Sequence, residues 1–268
     1  MSVGAVATAR VTSASLAQDL RRLGMAEGSC VLLHVSLRGL GEVEGGPAAV
    51  VEAVRTVIGA GGTIVVPTTT DGNSDTSRAY RERTRGMSPL RRRLHRRRMP
   101  AFDPASTPSS AGAVAEFVRT RDGAVRSEHP QSSFAAIGPA AGALMGGHAP
   151  DCHLGEASPL ARLYETGAHI LMLGIGYAAC TAFHLAEYRY APDPPTRRYA
   201  CVVRRGRRAR WWSYEDVVLD DSEFSVIGAE LDATALVRHS AVGRADGRLI
   251  RLDEAVRFAA GWFAARRR

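Results

Sequence analysis

Residues 30–67 read CVLLHVSLRGLGEVEGGPAAVVEAVRTVIGAGGTIVVP, and this stretch decides the fold of the chain. The apolar runs at 30–35 and 63–67 are short and bounded by glycine-rich turns, so they predict two buried strands. Between them, Pro47 in the first turn and the GAGG that follows delimit a helix over about 47–58. A strand, a loop, a helix and a second strand in this order are typical of a parallel sheet covered by helices.

Similar alternation continues on both sides of this unit. An amphipathic helix is predicted at 13–23, and further buried strands are predicted at 133–137 and 169–176. The segment 181–190 has the pattern of a helix that follows the second of these strands, and the C-terminal third suggests short strands and a closing helix. We therefore expect an α/β protein with three α/β/α layers, a central and largely parallel sheet, and a single domain over 1–268.

Residues 70–110 interrupt the alternation with a polar stretch followed by many arginines. We expect them to form an inserted lobe of helices and loops. The densest part, LRRRLHRRR at 90–98, has the charge to contact nucleic-acid phosphates. Such a run is more often a solvated helix face, and the aromatic residues that would stack on bases are nearly absent from it. A nucleic-acid-binding protein with a vestigial α/β core is therefore a minor alternative, and we expect no nucleic-acid partner.

The composition is that of a globular protein with a basic surface. Hydrophobic residues make up 45% of the 268, enough for a sizeable core, and the formal charge is +8 with arginine as the basic residue throughout and no lysine. No run approaches the ~18 apolar residues that cross a bilayer, and the N-terminus lacks the pattern of a secretory signal. We expect a cytoplasmic protein, away from membranes, with four free thiols and no metal site. A cationic substrate would need a local acidic pocket against this overall charge.

The sharpest local pattern is Thr181-x-x-His184-x-x-Glu187, in the helix that follows strand 169–176. Residues three apart share a helix face, and ligands usually bind at the carboxyl edge of a parallel sheet. A carboxylate beside a histidine orients one ring nitrogen and favours the imidazolium, as a general base requires. On spacing alone a structural histidine is the more frequent outcome, and a metal site is the least frequent. Cys180 would open an acyl-cysteine route as a nucleophile, although a small buried residue is favoured there.

Two further features have alternatives that the residues leave open. The strand VLLHVS leads into the glycine-rich SLRGLGEVEGGP and a helix, an arrangement whose backbone N–H groups bind anions, with Arg38 as an added contact. A plain turn is equally consistent with it, because neither a Walker loop nor a clean G-x-G-x-x-G is present. His129, before a proline, lines a cleft or, more often in such a setting, is a hydrogen-bonded loop histidine.

Six stretches, in this order, resemble the aminoglycoside 3-N-acetyltransferase family. They are LLHVSLRGLGEVEGGPAAVVEAV, GGTIVVPTTTDGNSD, MPAFDPASTP, AVRSEHPQSSFAAIGPAA, LGEASPLARLYETGAHILMLGIG and TAFHLAEYR. The resemblance implies an α/β/α fold distinct from that of the GCN5-type acetyltransferases. It also implies acetyl-CoA as donor and direct transfer in a ternary complex, with no metal. The activity it implies is acetylation of the 3-amino group of 2-deoxystreptamine aminoglycosides, which confers antibiotic resistance.

The resemblance also assigns residues. It makes His184 the base, Glu187 its orienting carboxylate, and Thr181 a neighbour of the reacting carbonyl. The donor-binding positions that it implies are Val35, Ser36, Leu37, Arg38 and Thr69. The ammonium groups of an aminoglycoside need carboxylates, and the loop acids expected to supply them are Asp71, Asp103, Asp151 and Glu156. A monomer or a homodimer is expected.

The chain departs from the family pattern before the histidine. Relatives read close to GxGHDSNTSLH, whereas this chain reads GIGYAACTAFH, so that Tyr177, Ala178, Ala179 and Cys180 replace polar positions. The stretch from Arg78 to Arg98 is also more basic than expected beside a polycationic drug. The alternative function is therefore an N-acetyltransferase with the same donor and base but another amine, such as a biosynthetic intermediate.

Overall fold

The computed structural model describes residues 10–206 and 208–267; the first nine residues, which bear on the expected lack of a secretory signal, lie outside them. Its strands are Cys30–Val35 (β1), Thr63–Pro67 (β2), Val125–Arg126 (β3), Phe134–Ile137 (β4), His169–Leu173 (β5), Thr196–Arg205 (β6), Arg208–Val217 (β7), Val237–Val242 (β8) and Ala245–Arg251 (β9). Its α-helices are Ser13–Leu23 (α1), Leu37–Leu40 (α2), Gly46–Ile58 (α3), Arg78–Arg83 (α4), Pro89–Arg98 (α5), Ala113–Arg119 (α6), Ala141–Met145 (α7), Pro159–Glu165 (α8), Phe183–Arg189 (α9), Phe224–Asp232 (α10) and Leu252–Arg266 (α11).

Within these residues one seven-stranded sheet has the order β3-β4-β2-β1-β5-β9-β8. The central strand β1 runs parallel to both neighbours, with Leu32 opposite Val65 of β2 and Ile170 of β5. The outer strands pair antiparallel. Parallel neighbours need a crossover, which α3 provides between β1 and β2, whereas β8 and β9 are joined by a tight turn. The α/β/α fold expected from the sequence is confirmed, but the sheet is mixed instead of largely parallel, since two of its six strand pairings are parallel and four are antiparallel.

Alternate side chains of the central strands enter two hydrophobic cores. Val31 and Leu33 of β1 pack under α1, α3 and α6, whereas Leu32 packs under α7–α11 on the other face. Because both faces are covered, the strands read as continuous apolar runs in the sequence. Helix α1 covers the predicted residues, since Thr12 caps its start and Gly24, in the left-handed conformation, ends it. Among the described helices none combines the length and apolar character needed to cross a membrane.

The arginine-rich lobe packs on a hairpin instead of on the sheet. Helices α4 and α5 lie against the two-stranded sheet of β6 and β7, around a small core of Tyr80, Met99 and Val202. The indole N–H of Trp211 donates to the carbonyl of Arg96, whose guanidinium lies 4.5 Å from the indole ring. Helix α5 buries none of its residues, which agrees with a solvated helix face. The strands β6 and β7 are ten residues each, longer than the short strands expected in this region.

Two glycines bring the loops after β1 and β5 into contact. A Cβ on Gly39 would lie 2.3 Å from the carbonyl oxygen of Gly174, which itself has φ +64°. The backbone N–H of Ser36 donates to the carbonyl of Leu173, and its hydroxyl caps α2 by accepting from Gly39. This contact joins the carboxyl ends of β1 and β5, where the sequence predicts the donor and the base to meet.

Candidate active site

His184 and Glu187 lie side by side at the start of α9. Nδ1 of His184 is 2.7 Å from Oε2 of Glu187, and the imidazole packs on the ring of Phe224 with centroids 4.7 Å apart. The turn Tyr177–Ala179 leads from β5 into α9 and places His184 near the carboxyl edge of the sheet. Because Glu187 holds Nδ1, Nε2 is the ring nitrogen left to exchange a proton with a ligand. The structure thus brings together two of the three residues that the helical spacing singled out, whereas Thr181 precedes the first residue of α9.

The carboxylate of Glu187 is held by three donors. It is fully buried, and besides His184 it binds the backbone N–H of Asp220 at 2.9 Å and Nη1 of Arg267 at 2.8 Å. Arg267 in turn pairs with Glu223 at 2.7 Å. Because these partners hold the buried carboxylate of Glu187 in one position, the carboxylate in turn fixes the orientation of the His184 ring. Sequence analysis missed Asp220 and Arg267, because neither lies near α9 along the chain.

Thr181 and Cys180 have different surroundings, although they are adjacent. The carbonyl of Thr181 accepts from the backbone N–H of His184, and its half-buried side chain faces a groove described below. Cys180 is fully buried, and burial raises the pKa of its thiol to about 12. A nucleophilic cysteine needs an accessible thiolate, so the acyl-cysteine alternative does not fit this structure.

His184 opens on a broad cleft of about 920 Å³. The loop after β2, helix α4 and strand β6 form its walls. The charged residues that line it are Asp71, Glu82, Asp221, Arg78, Arg81, Arg85 and Arg197. Glu82 pairs with Arg78 at 2.7 Å, which leaves Asp71 and Asp221 as the acids of this cleft without an ion-pair partner among the described residues. The cleft therefore has carboxylates for an ammonium group, together with an excess of guanidinium groups.

A narrower groove of about 200 Å³ lies beside the cleft, between the carboxyl ends of β1 and β2 and the start of α6. Val35, Thr69 and Thr181 line it, and Thr69 also lines the cleft, so the two spaces meet at this residue. His34 lines the groove as well; it is 5% exposed, and its Nε2 has no hydrogen-bond partner among the described residues. Such an orphaned polar atom suits a ligand with its own hydrogen-bonding groups. The feature of the sequence that could have identified His34 as a site residue is its position as a histidine within an otherwise apolar strand.

The turn after β1 that is predicted to bind acetyl-CoA is short, and it forms a hydrogen bond within itself. Val35 lines the groove, whereas the hydroxyl of Ser36 accepts from Gly39 as the cap of α2. Leu37 is half-buried and Arg38 is exposed on this helix. These four residues follow one another at the end of the groove wall formed by β1, and their part in donor binding stays a prediction.

The structure brings one of the four predicted acceptor acids, Asp71, to the cleft. Asp103 instead caps its own turn by accepting from two backbone N–H groups. Glu156 forms a two-pronged pair with Arg189 at 2.7 and 2.8 Å, and Asp151 is exposed outside the cleft. The geometry differs here from the expectation, because a loop's place in the chain does not say which face of the protein it occupies.

A cluster of buried histidines forms the wall of the cleft behind Ser132. Nδ1 of His153 lies 2.7 Å from Asp216, its Nε2 lies 2.9 Å from Oε1 of Gln131, and the ring reaches the cleft. His129 is fully buried between the rings of His148 and His153, with centroids 4.8 Å from each. Its Nδ1 accepts from two backbone N–H groups, as in a hydrogen-bonded loop histidine. Among the described residues no group of metal-ligating side chains is arranged to hold an ion.

We expect acid to destabilise the protein before its carboxylates are protonated. Burial lowers the pKa of His34 and His148 from 6.5 to about 4, and it also lowers the pKa of His129 and His153. Between pH 4 and pH 6.5 the unfolded chain binds more protons than the folded protein. The stability that comes from keeping these histidines neutral is therefore complete above pH 6.5 and is lost as the pH falls toward 4. At pH 5, the buried imidazoles of His34 and His148 should each lower the free energy of unfolding by roughly 2 kcal/mol.

Urea unfolding at pH 7.5 and pH 5, followed by circular dichroism, measures this difference. The variant His34→Gln removes one of these buried imidazoles and should make the difference smaller. Equal free energies of unfolding at the two pH values would contradict the prediction.

The chain is similar to known proteins over nearly its whole length. The family model described as aminoglycoside 3-N-acetyltransferase matches residues 32–264. The SPbeta prophage-derived aminoglycoside N(3')-acetyltransferase-like protein YokD of Bacillus subtilis (strain 168) is 34% identical over 257 residues, which cover 94% of this chain and 92% of that protein. Aminoglycoside N(3)-acetyltransferase VII of Streptomyces paromomycinus is 34% identical over 271 residues, covering 94% and 91%.

Solved structures match over nearly the whole chain as well. The crystal structure of YokD has a TM-score of 0.87 at 32% identity, covering 95% of this chain and 99% of that one. The binary complex of AAC-IIIb with CoASH has a TM-score of 0.83 at 29% identity, covering 96% and 98%. AAC-VIa bound to sisomicin has a TM-score of 0.81 at 30% identity, covering 96% and 99%. Agreement in sequence and fold over most of both chains places this protein in the aminoglycoside 3-N-acetyltransferase family.

Proposed function

We propose that this enzyme transfers an acetyl group from acetyl-CoA to the 3-amino group of 2-deoxystreptamine aminoglycosides and so confers resistance to them. The observation that carries the proposal is the His184–Glu187 pair at a cleft that meets a narrow groove at Thr69. Two similar structures support a donor and an acceptor of these kinds, since AAC-IIIb was solved with CoASH and AAC-VIa with sisomicin. A cytoplasmic location suits a donor that is a cytoplasmic metabolite.

The narrow groove fits the pantetheine arm of the donor. Its walls include the apolar side chains of Leu33, Val66, Val114 and Ile175, and the orphaned Nε2 of His34 offers one polar contact. A mostly apolar slot with a few polar groups suits a chain of methylenes and amides. When bound, the donor supplies the thioester carbonyl on which the new amide bond forms.

His184 has the geometry of the general base. Nε2 takes the proton of the attacking amine, and Glu187 stabilises the imidazolium that results. The amine nitrogen bonds to the thioester carbon, and the developing oxyanion accepts a hydrogen bond from the hydroxyl of Thr181 or from a nearby backbone N–H. The C–S bond then breaks, and His184 returns its proton to the thiolate of CoA, so that charge and protons balance.

The acceptor binds in the broad cleft. Its ammonium groups pair with Asp71 and Asp221, which have no other ion-pair partner among the described residues, while Glu82 is partly neutralised by Arg78. This replaces most of the acids expected from the sequence with others on the same cleft. A monomer or a homodimer is compatible with this arrangement, because every residue named here comes from one chain.

Release of CoA thiol from acetyl-CoA tests the proposal directly. We expect release with aminoglycosides that have a 3-amino group and none with matched drugs in which that amine is absent or blocked. Mass spectrometry of the product should show one added acetyl group, at position 3. Turnover that ignores the 3-amino group would contradict the assigned acceptor, and no turnover with any amine would contradict the activity.

A further inference from the structure

Arginines outnumber acids around the cleft that His184 faces. Four arginines and three carboxylates line it, and the pair between Arg78 and Glu82 removes one of each from the balance. Asp71 and Asp221 then remain, together with Arg81, Arg85 and Arg197. The lining thus offers carboxylates for ammonium groups and, in addition, guanidinium groups that an anion would balance.

Arg197 is the most informative of the three. It lies on β6 and is half-buried, with its guanidinium 4.9 Å from the ring centre of Tyr199 in the cleft wall. Among the described residues no carboxylate lies within ion-pair distance of it. A guanidinium partly removed from water without a counter-ion is costly, unless a ligand supplies the anion. Its neighbour Arg198 is exposed, does not line the cleft, and donates to Ser213 at 2.9 Å.

Arg81 and Arg85 also line the cleft and add positive charge to it. They lie four residues apart, Arg81 in α4 and Arg85 just after it, and both are exposed and line the cleft. Like charges at this spacing destabilise a helix slightly, so helix stability does not explain their placement. Neither has a carboxylate within ion-pair distance among the described residues. Together with Arg197 they surround a space with several guanidinium groups that have no partner of opposite charge.

We infer, building on the acetyl transfer proposed above, that this enzyme also acetylates amines that carry an anionic group, such as phosphorylated amino sugars, and that Arg197 binds the anion. The carboxylates of Asp71 and Asp221 suit an ammonium group, and the guanidinium groups suit a phosphate or carboxylate, which guanidinium binds through two parallel hydrogen bonds. The cleft is thus complementary to a zwitterion. A phosphate of the donor is the other source of the same chemistry, and the experiment distinguishes the two.

The test compares glucosamine with glucosamine 6-phosphate as acceptors, by release of CoA thiol from acetyl-CoA. We expect kcat/KM to be at least about ten-fold higher for the phosphate, as a charge-assisted hydrogen bond provides. Arg197→Gln should reduce this ratio about ten-fold or more, and the matched control Arg198→Gln should leave it unchanged. The control changes the same residue type on the same strand, outside the cleft.

Four results would overturn the inference. If Arg197→Gln lowers kcat/KM equally for both sugars, the arginine supports the cleft wall and does not bind an anion. If the effect instead appears in KM for acetyl-CoA and disappears with 3'-dephospho-acetyl-CoA, the arginine serves the donor. If aminoglycosides are acetylated but the phosphate brings no preference, the proposed function stands and the inference fails alone. If no amine releases CoA, the proposed function fails and the inference falls with it.

Discussion

His184→Ala should lower the turnover of acetyl transfer by about 10²–10⁴-fold, because it removes the group that takes the proton of the attacking amine. The loss should fall on kcat rather than on KM, since the imidazole acts on the proton in the transition state and is not needed to hold the acceptor. The side chain is 16% exposed and stands at the edge of the cleft, so the chain should still fold. Release of CoA thiol at saturating substrate measures the effect.

Two controls accompany this variant. His239→Ala removes a surface histidine on β8, outside the cleft, and should retain full turnover. Thermal unfolding followed by circular dichroism should give His184→Ala a melting temperature close to that of the unchanged protein. Near-full turnover in a folded His184→Ala variant would refute the assigned base. If that variant does not fold, the same measurement is made on His184→Gln, which keeps a polar side chain at this position.

Glu187→Ala should be the most destabilising single change in the site, at about 3–5 kcal/mol, because it leaves a partly buried cation and other donors without their acceptor. The groups that lose their partner are the guanidinium of Arg267, the backbone N–H of Asp220 and Nδ1 of His184. The same change frees the imidazole to rotate, so turnover should fall together with stability. Urea unfolding and CoA release on one preparation measure both effects.

Glu187→Gln separates the two consequences. The amide keeps the volume and one acceptor oxygen, so stability should fall less than in Glu187→Ala, but the charge that stabilises the imidazolium is lost and turnover should still drop. Glu223→Gln is the matched control, because it removes the outer partner of Arg267 and does not touch His184. A Glu187→Ala variant with unchanged stability and full turnover would contradict the role of this carboxylate.

Local patterns in the sequence predicted the central elements closely. The strands at 30–35 and 63–67 have the predicted bounds, because strands covered on both faces must be apolar at each position. Helix α1 has its predicted ends because Thr12 and Gly24 satisfy its terminal backbone groups. Less of β5 and α9 was predicted correctly, since the strand ends at Leu173 and a 3₁₀ turn separates it from the helix. Such ends depend on the packing of loops, which local pattern does not report.

One part of the candidate active site was predictable from the sequence, and another part was not. The contact between His184 and Glu187 was predictable, because helical geometry alone sets the distance between residues three apart. The acidic residues that line the cleft were not predictable from the sequence. Asp221 and Glu82 line it, while Asp103 caps its own turn.

The sequence by itself therefore determined the central strands and helices, the resemblance to the family, and the pairing of His184 with Glu187, since each of these depends on residues close together in the chain. Only the tertiary structure decided which charges surround the substrate. Arg197 and Arg81 reach the cleft from segments more than a hundred residues apart. The local sequence pattern indicates whether a segment is buried, but it does not indicate which distant segment will lie opposite. The electrostatics of a cleft depend on which loops and helices the fold brings together around it.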